Sequence, residues 1–420
     1  MVLHFRPTSV PQGTLRFSLT WGLGGMAATL VLLQLGSGVM LKFFYEPTPV
    51  AAFSSVRTLI DSVPFGRLIR NLHHWCAHLL VAVMILHMLR VFYTGAFHPP
   101  RQFNWVIGLG LVATVLGANF TGYLLPWDQL AFWAVTVSAS MLDYVPLVGG
   151  GLQTMIRSGG EVGPGTLRTF FALHTAVIPV VLPGLMAFHF WRVRKAKGVV
   201  VPRRPDAPGD PEPVRAPTFP DLLLREATMA LVVIALVLLL SAIIDAPLGE
   251  QANPGLSPNP TRAPWYFAGL QELLLHLHPV FAVSVIPALV LSGLLAIPYL
   301  GYAADTGGVW FASQRGLRST AIAAVMGVAL TSLMVVVDAW LSAREATGET
   351  ISPAISRGLL PLLLFAAIIA GITAFVKKRY GATSNETVQV VFTLLLAAAT
   401  VLTITGVWFR GAGMALTVPW

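Results

Sequence analysis

Charge is scarce in this chain. Only 11% of its 420 residues are Asp, Glu, Lys or Arg, where a soluble protein carries roughly a quarter. A water-soluble globule is thereby excluded. Cysteine is scarcer still: the single Cys76 rules out an internal disulfide and reads as an inert small packing residue. The opening, MVLHFRPTSVPQGTLRF, has no apolar h-region and no small-residue cleavage site, so no cleavable signal peptide is expected.

What is plentiful is apolar surface, at 55% of residues. Runs of about 20 such residues, each long enough for ~30 Å of hydrocarbon, recur near 19–43, 74–95, 104–125, 170–191, 225–245, 280–301, 319–341, 357–376 and 387–409. The pattern predicts an all-α polytopic membrane protein with about nine transmembrane helices. With the N-terminus inside, Lys and Arg divide 17 inside to 10 outside, and Asp and Glu 7 to 11. That asymmetry predicts a cytoplasmic N-terminus and an outside C-terminus. It also accounts for the net charge of +9 without a nucleic-acid partner. A Pro-rich, charged stretch at 196–222 reads as an extended linker. It separates an N-terminal domain, 1–195, from a second one, 223–345, with two further spans in 346–420.

Eight of the ten histidines fall before that linker, four of them in HHWCAHLLVAVMILH, residues 73–87. An imidazole in hydrocarbon needs a partner, which makes each one a candidate functional residue. From His73 to His87 is 14 residues, about 40° from in line and ~21 Å along a helix. His74 and His78 point elsewhere. The fourth span repeats the step, with His174 and His189 separated by 15 residues, about 60° from in line. Two such helices facing each other give two levels, each with two imidazoles across a gap. A zinc site usually wants three or four protein ligands; two neutral nitrogens suit the axial positions of a haem iron, His73 with His174 and His87 with His189. Six-coordinate iron carries electrons and leaves no open position. The first span has Gly24 and Gly38, the third Gly108 and Gly122, again 14 apart. Glycine suits close backbone approach to a flat ligand, although small residues also serve helix packing in membranes. Arg70, Arg90, Arg168, Arg192 and Arg194 lie at span ends, as partners for haem propionates or as interface anchors.

The stretches GRLIRNLHHWCAHLLVAVMILHMLRVFYTGAF, TGYLLPWDQLAFWAV and RTFFALHTAVIPVVLPGLMAFHF resemble the cytochrome b/b6 family, the core of quinol-oxidising bc complexes. The likeness is strong over 15–200 and looser over 218–303, with b6-like and subunit IV-like halves fused in one chain. It implies an N-terminal four-helix di-haem bundle. His73 and His174 would hold an outer, lower-potential haem, and His87 and His189 an inner, higher-potential one. Both would be non-covalent b haems. It also implies that quinol is oxidised at an outer site, whose walls would include Tyr123 of TGYLLPWDQLAFW and Tyr266 of APWYF. One electron would pass to a Rieske iron–sulfur protein and c-type cytochrome, the other across the haems to an inner quinone, with proton translocation. It further implies a homodimeric complex, expected here in a bacterial cytoplasmic membrane.

Two departures stand out. Where the family has Pro-Glu-Trp-Tyr, this chain has Pro264 at the Glu position, in NPTRAPWYF. Glu272, the only carboxylate in the following stretch, is the substitute expected to take the quinol proton. On a helix it lies about 80° around and ~12 Å along from Pro264. His276 and His278 can relay protons or cap the sixth span. In the chloroplast-type branch a cysteine of the first span tethers an extra haem; Gly22 stands there, and with no CxxCH run no covalent haem is expected. A di-haem anchor passing electrons linearly between quinone and a dehydrogenase or reductase shares the histidines but needs no outer pocket. A transporter explains the spans but not the paired histidine steps.

Overall fold

The computed structural model describes residues 8–201, 214–302, 305–342 and 352–418. Nine helices among them are long and apolar enough to cross a membrane. Spans one to five are Leu23–Lys42, Gly66–Tyr93, Gln102–Tyr123, Pro164–Lys195 and Thr218–Ile243. Spans six to nine are Phe281–Tyr299, Gln314–Trp340, Ile355–Tyr380 and Ser384–Trp408. Each overlaps the run expected from the sequence, and the protein is an all-α integral membrane protein.

Local chemistry sets the ends. Gly22, at φ +66°, turns the chain in the left-handed region just before span one. Span eight ends at Gly381, also left-handed, after Lys377, Lys378 and Arg379, which favour the negative end of the helix dipole. Span nine opens with a capping box: Thr383 accepts from Glu386 N, and the Glu386 carboxylate accepts from Thr383 N at 2.7 Å.

Prolines leave a mark that periodicity did not foresee. Spans four, six and eight contain π turns at Leu173–Val177, Phe281–Val285 and Ile355–Leu359. Each ends two residues before a proline: Pro179, Pro287 and Pro361. A proline ring clashes with the carbonyl four residues back and offers it no N–H, and widening the turn relieves both problems. In span four the widened turn absorbs one extra residue. The 15-residue step from His174 to His189 then behaves like the 14-residue step of span two.

The chain clusters into two units. The first is 1–131, 163–251 and 305–310; the second is 132–162, 252–304 and 311–420. In the first unit span one packs along span two, span three along span four, and span five against spans one and two. Span five thus groups with the four spans before the linker. Of that linker, 202–213 lies outside the described residues, while Arg215–Pro217 forms a short antiparallel pair with Ser9–Pro11. In the second unit the short helix Trp265–His276 lies along span nine, and span nine along span seven. Ala323, Ile372, Val376, Val390 and Leu394 form the buried core of spans seven to nine. The last two spans therefore pack as part of this unit.

Candidate functional site

Span two carries His73 and His87 on the face turned to span four. The His73 and His174 rings stand 6.1 Å apart, centre to centre, with planes at 77°. The His87 and His189 rings stand 6.5 Å apart at 73°. Two imidazoles bonded to one metal ion at about 2.0–2.1 Å each stand with ring centres roughly 6 Å apart, so each pair fits an iron of its own. His74 and His78 lie against one another at 4.6 Å instead. No group of three or more His, Cys, Asp or Glu side chains able to hold a metal ion exists among the described residues.

The four glycines each meet one histidine. A Cβ on Gly38 would lie 3.2 Å from His73 Cε1, and one on Gly122 only 2.5 Å from His174 Cε1. At Gly24 and Gly108 the corresponding distances, to His87 and His189 Cε1, are 3.6 and 3.9 Å. The spacing shared by glycines and histidines therefore has a direct cause: spans one and three each yield space to the imidazoles of spans two and four. The allowance is tight at the His73–His174 level and loose at the other.

Ring orientation at the tight level is fixed by hydrogen bonds the sequence reading missed. Ser37 Oγ donates to Leu33 O at 2.7 Å and so accepts from His73 Nδ1, 2.9 Å away. His174 Nδ1 donates to Ala118 O at 3.0 Å and lies 3.3 Å from Thr121 Oγ1. With Nδ1 protonated, Nε2 of both rings keeps its lone pair for a metal. The signal was present: a hydroxyl residue precedes the glycine in both Ser37-Gly38 and Thr121-Gly122.

The arginines part company. Arg90, one turn from His87, is buried; its Nε donates to Leu19 O at 2.8 Å, while its Nη2 is buried with no hydrogen-bond partner. An orphaned guanidinium N–H of this kind fits an anionic group not made of protein. Arg70 donates to Ala246 O and Pro247 O at 2.7 and 2.6 Å, beside Asn71, which bonds Ser241 O and Asp245. Its strongest visible commitment is to the turn after span five. Arg192 lies over the Phe103 ring at 5.6 Å, and Arg168 and Arg194 are exposed. Cys76 is fully buried, as a packing residue should be.

Tyr123 ends span three and is half-buried, as is Tyr266 in the second unit. Tyr266 packs edge-on between Trp265 and Phe267, with ring centres at 5.6 and 5.0 Å. The stretch after Pro264 is helical, so Glu272 is separated from Pro264 by two turns. Glu272 has no exposed surface and is already engaged. Arg410 Nε lies 2.9 Å from its Oε2 and 3.1 Å from Oε1, Arg410 Nη2 also bonds Oε1, and His276 Nε2 lies 3.0 Å from Oε1. His276 Nδ1 in turn bonds Asp338 at 2.6 Å. Burial pushes the Glu272 carboxyl upward, but His276 and Arg410 outweigh it and hold it below the ordinary carboxylate range. Burial pulls His276 down, yet Asp338 and Glu272 lift it to about 9. This chain of charges therefore holds Glu272 as an anion. The sixth span is capped by its neighbour, whose carbonyl accepts from Phe281 N at 2.9 Å: that neighbour is His278. Asp338 was a missed signal, the only ionisable residue in the seventh apolar run.

Comparison with known proteins places the chain by family and fold. The cytochrome b/b6/petB family model matches residues 10–197. Cytochrome b6 of Heliobacterium modesticaldum is 42% identical over 185 residues, 44% of this chain and 86% of that protein. Cytochrome b6 of Synechocystis is 42% identical over 173 residues, 41% of this chain and 78% of its own length. A chain of a solved structure described as a hyperthermophilic respiratory Complex III shares the fold, with a TM-score of 0.68 and 22% identity over 96% of this chain and 95% of that one. The chain belongs to the cytochrome b/b6 family.

Proposed function

We propose that the chain is the di-haem cytochrome b subunit of a quinol-oxidising bc-type complex. The observation that carries the reading is the double histidine pair, each ring backed by a glycine from a neighbouring span. His73 with His174, and His87 with His189, would each hold one non-covalent b haem. When bound, the haems supply one-electron carriage between the two faces of the membrane. Ser37 and Ala118 keep the outer imidazoles in the ligating tautomer. Arg90 offers its free N–H to a propionate of the His87–His189 haem; Arg70, Arg168 and Arg194 are secondary candidates for propionate contact.

In this reading quinol is oxidised on the outer side. Tyr123, Tyr266 and Glu272 all fall on the side that the charge count assigns to the outside. By resemblance to the family, Tyr123 and Tyr266 are each candidates to offer a hydroxyl to quinol, and Glu272 is the candidate to take its proton. The electrons then divide between a Rieske iron–sulfur protein with its c-type cytochrome and an inner quinone. A homodimeric complex in a bacterial cytoplasmic membrane, with the N-terminus inside, completes the proposal. The four-domain division at 195, 222 and 345 remains part of it at the level of sequence ancestry. A linear di-haem anchor is the second reading, favoured by the engagement of Glu272.

The test is a redox-titrated optical spectrum of the purified protein. Two b-type components per chain are expected, one lost in His174→Ala and the other in His189→Ala. A single component, or none, refutes the ligand assignment.

A further inference from the structure

We propose that Arg410, carried by the segment after span nine, is a positioning residue for Glu272, and that this segment braces the turn 259–263 that leads into the helix bearing Tyr266. The proposal rests on the reading of Glu272 as the quinol-proton acceptor.

The segment 407–414 and the turn 259–263 are fastened to each other by three hydrogen bonds. Arg262 donates from Nη1 to Val407 O at 3.2 Å and from Nη2 to Arg410 O; Gly413 N donates to Asn259 Oδ1 at 2.5 Å. The turn is also closed onto the Trp265–His276 helix. Gln271 Nε2 donates to Thr261 O, and Gln271 Oε1 accepts from Ala263 N, both at 2.7 Å. Glycines bring the helix and span nine together at backbone range. A Cβ on Gly406 would lie 2.8 Å from Ala268 O, and one on Gly269 2.7 Å from Thr403 Oγ1. Beyond Gly406 the chain reverses, with Gly411 N donating to Ala415 O and Thr417 N to Phe409 O, both at 2.9 Å. The reversal also supplies Met414 O as a third anchor for the Arg410 side chain, at 3.0 Å from Nη1. Arg410 is buried, and Met414 O holds Nη1, the nitrogen that Glu272 leaves free.

The charges explain what such placement accomplishes. The groups facing Glu272 are Arg410 and His276, with Asp338 behind His276. Two cations and two anions form one neutral chain, from the buried Glu272 to Asp338, whose side chain is 41% exposed. A fully buried carboxylate without a guanidinium would keep its own proton rather than take one from substrate. Arg410 keeps it an anion and aims it from the same rigid piece that holds Tyr266. The segment after the last span thus has a task in the reaction, because it delivers the cation that buried Glu272 requires to stay ionised.

The experiment uses the assembled complex with haem bound. Quinol oxidation is followed against pH in Arg410→Gln, Arg410→Lys, Glu272→Gln and the double variant Glu272→Gln/Arg410→Gln, with the haem spectrum reporting that each has folded. Arg410→Gln should lower kcat about tenfold or more with little change in KM. Its acid limb should move up by about one unit or more, and Arg410→Lys should recover part of both. The double variant should be no slower than Glu272→Gln. An unmoved acid limb in Arg410→Gln overturns the proposal. Wild-type turnover in Glu272→Gln overturns the acceptor reading instead, and with it any role for Arg410 through Glu272.

Discussion

The glycine ladder makes a graded prediction. Alanine at Gly122 would put a methyl group 2.5 Å from His174 Cε1, 3.0 Å from Nδ1 and 3.1 Å from Nε2. The ring cannot retreat freely, because its Nδ1 is tied to Ala118 O. Overpacking of this kind costs about 1–3 kcal/mol. If the whole cost falls on the ligating position, haem binding weakens by about 5- to 150-fold. Gly38→Ala, at 3.2 Å from His73 Cε1, should fall at the lower end of that range. At 3.6 and 3.9 Å, Gly24→Ala and Gly108→Ala make only ordinary contact and should be nearly silent. The loss is thus confined to the His73–His174 haem. Optical redox titration of the four variants, with haem content measured per chain, gives the ranking directly. Equal losses at both levels, or preferential loss of the His87–His189 haem, would refute the argument that these glycines make room for imidazoles.

Three further outcomes follow from separate parts of the molecule. Arg90→Gln should lower the midpoint potential of the His87–His189 haem and leave the other unchanged, since it removes a buried positive charge near one haem only; a redox titration reads this, and equal shifts in both argue against it. His276 carries a pKa raised from 6.5 to about 9, so its ion-pair contribution to stability is complete below about pH 6.5 and is lost as pH rises through 9. Thermal melts should therefore fall over that window in the wild type and flatten in His276→Gln, and an unchanged slope contradicts the sign. Glu386→Ala removes the capping box of span nine and its bonds to Ser313 and Arg315, at a cost of about 1–2 kcal/mol visible as a lower Tm.

Legibility varied with the physics involved. Span existence could be read from apolar length alone, and the histidine and glycine steps from helix geometry, because both depend on spacing along one helix. The π turn before Pro179 was not read, since fixed 100° stepping assumes a regular helix; it matters because it brings His174 and His189 back into line. Ser37 and Thr121 carry no signal as single polar residues; only their places beside Gly38 and Gly122 encode their role. The ion chain of Glu272, His276, Asp338 and Arg410 joins residues up to 138 positions apart. No local pattern reports such a meeting, and only the lone carboxylate in span seven gave notice of it. Arg70 shows the converse: its position at a span end was legible, but its engagement with the carbonyls of residues 246 and 247 depends on how span five returns.

The central claim is that quinol oxidation divides its two electrons despite Pro264. The most direct measurement gives the purified complex excess quinol with its inner site blocked, adds a pulse of oxidant, and follows the absorbance of the b haems. The account predicts transient haem b reduction on adding the oxidant, because removing one electron from quinol by the outer path drives the second onto the haems. Plain haem oxidation would contradict it and support a linear electron path.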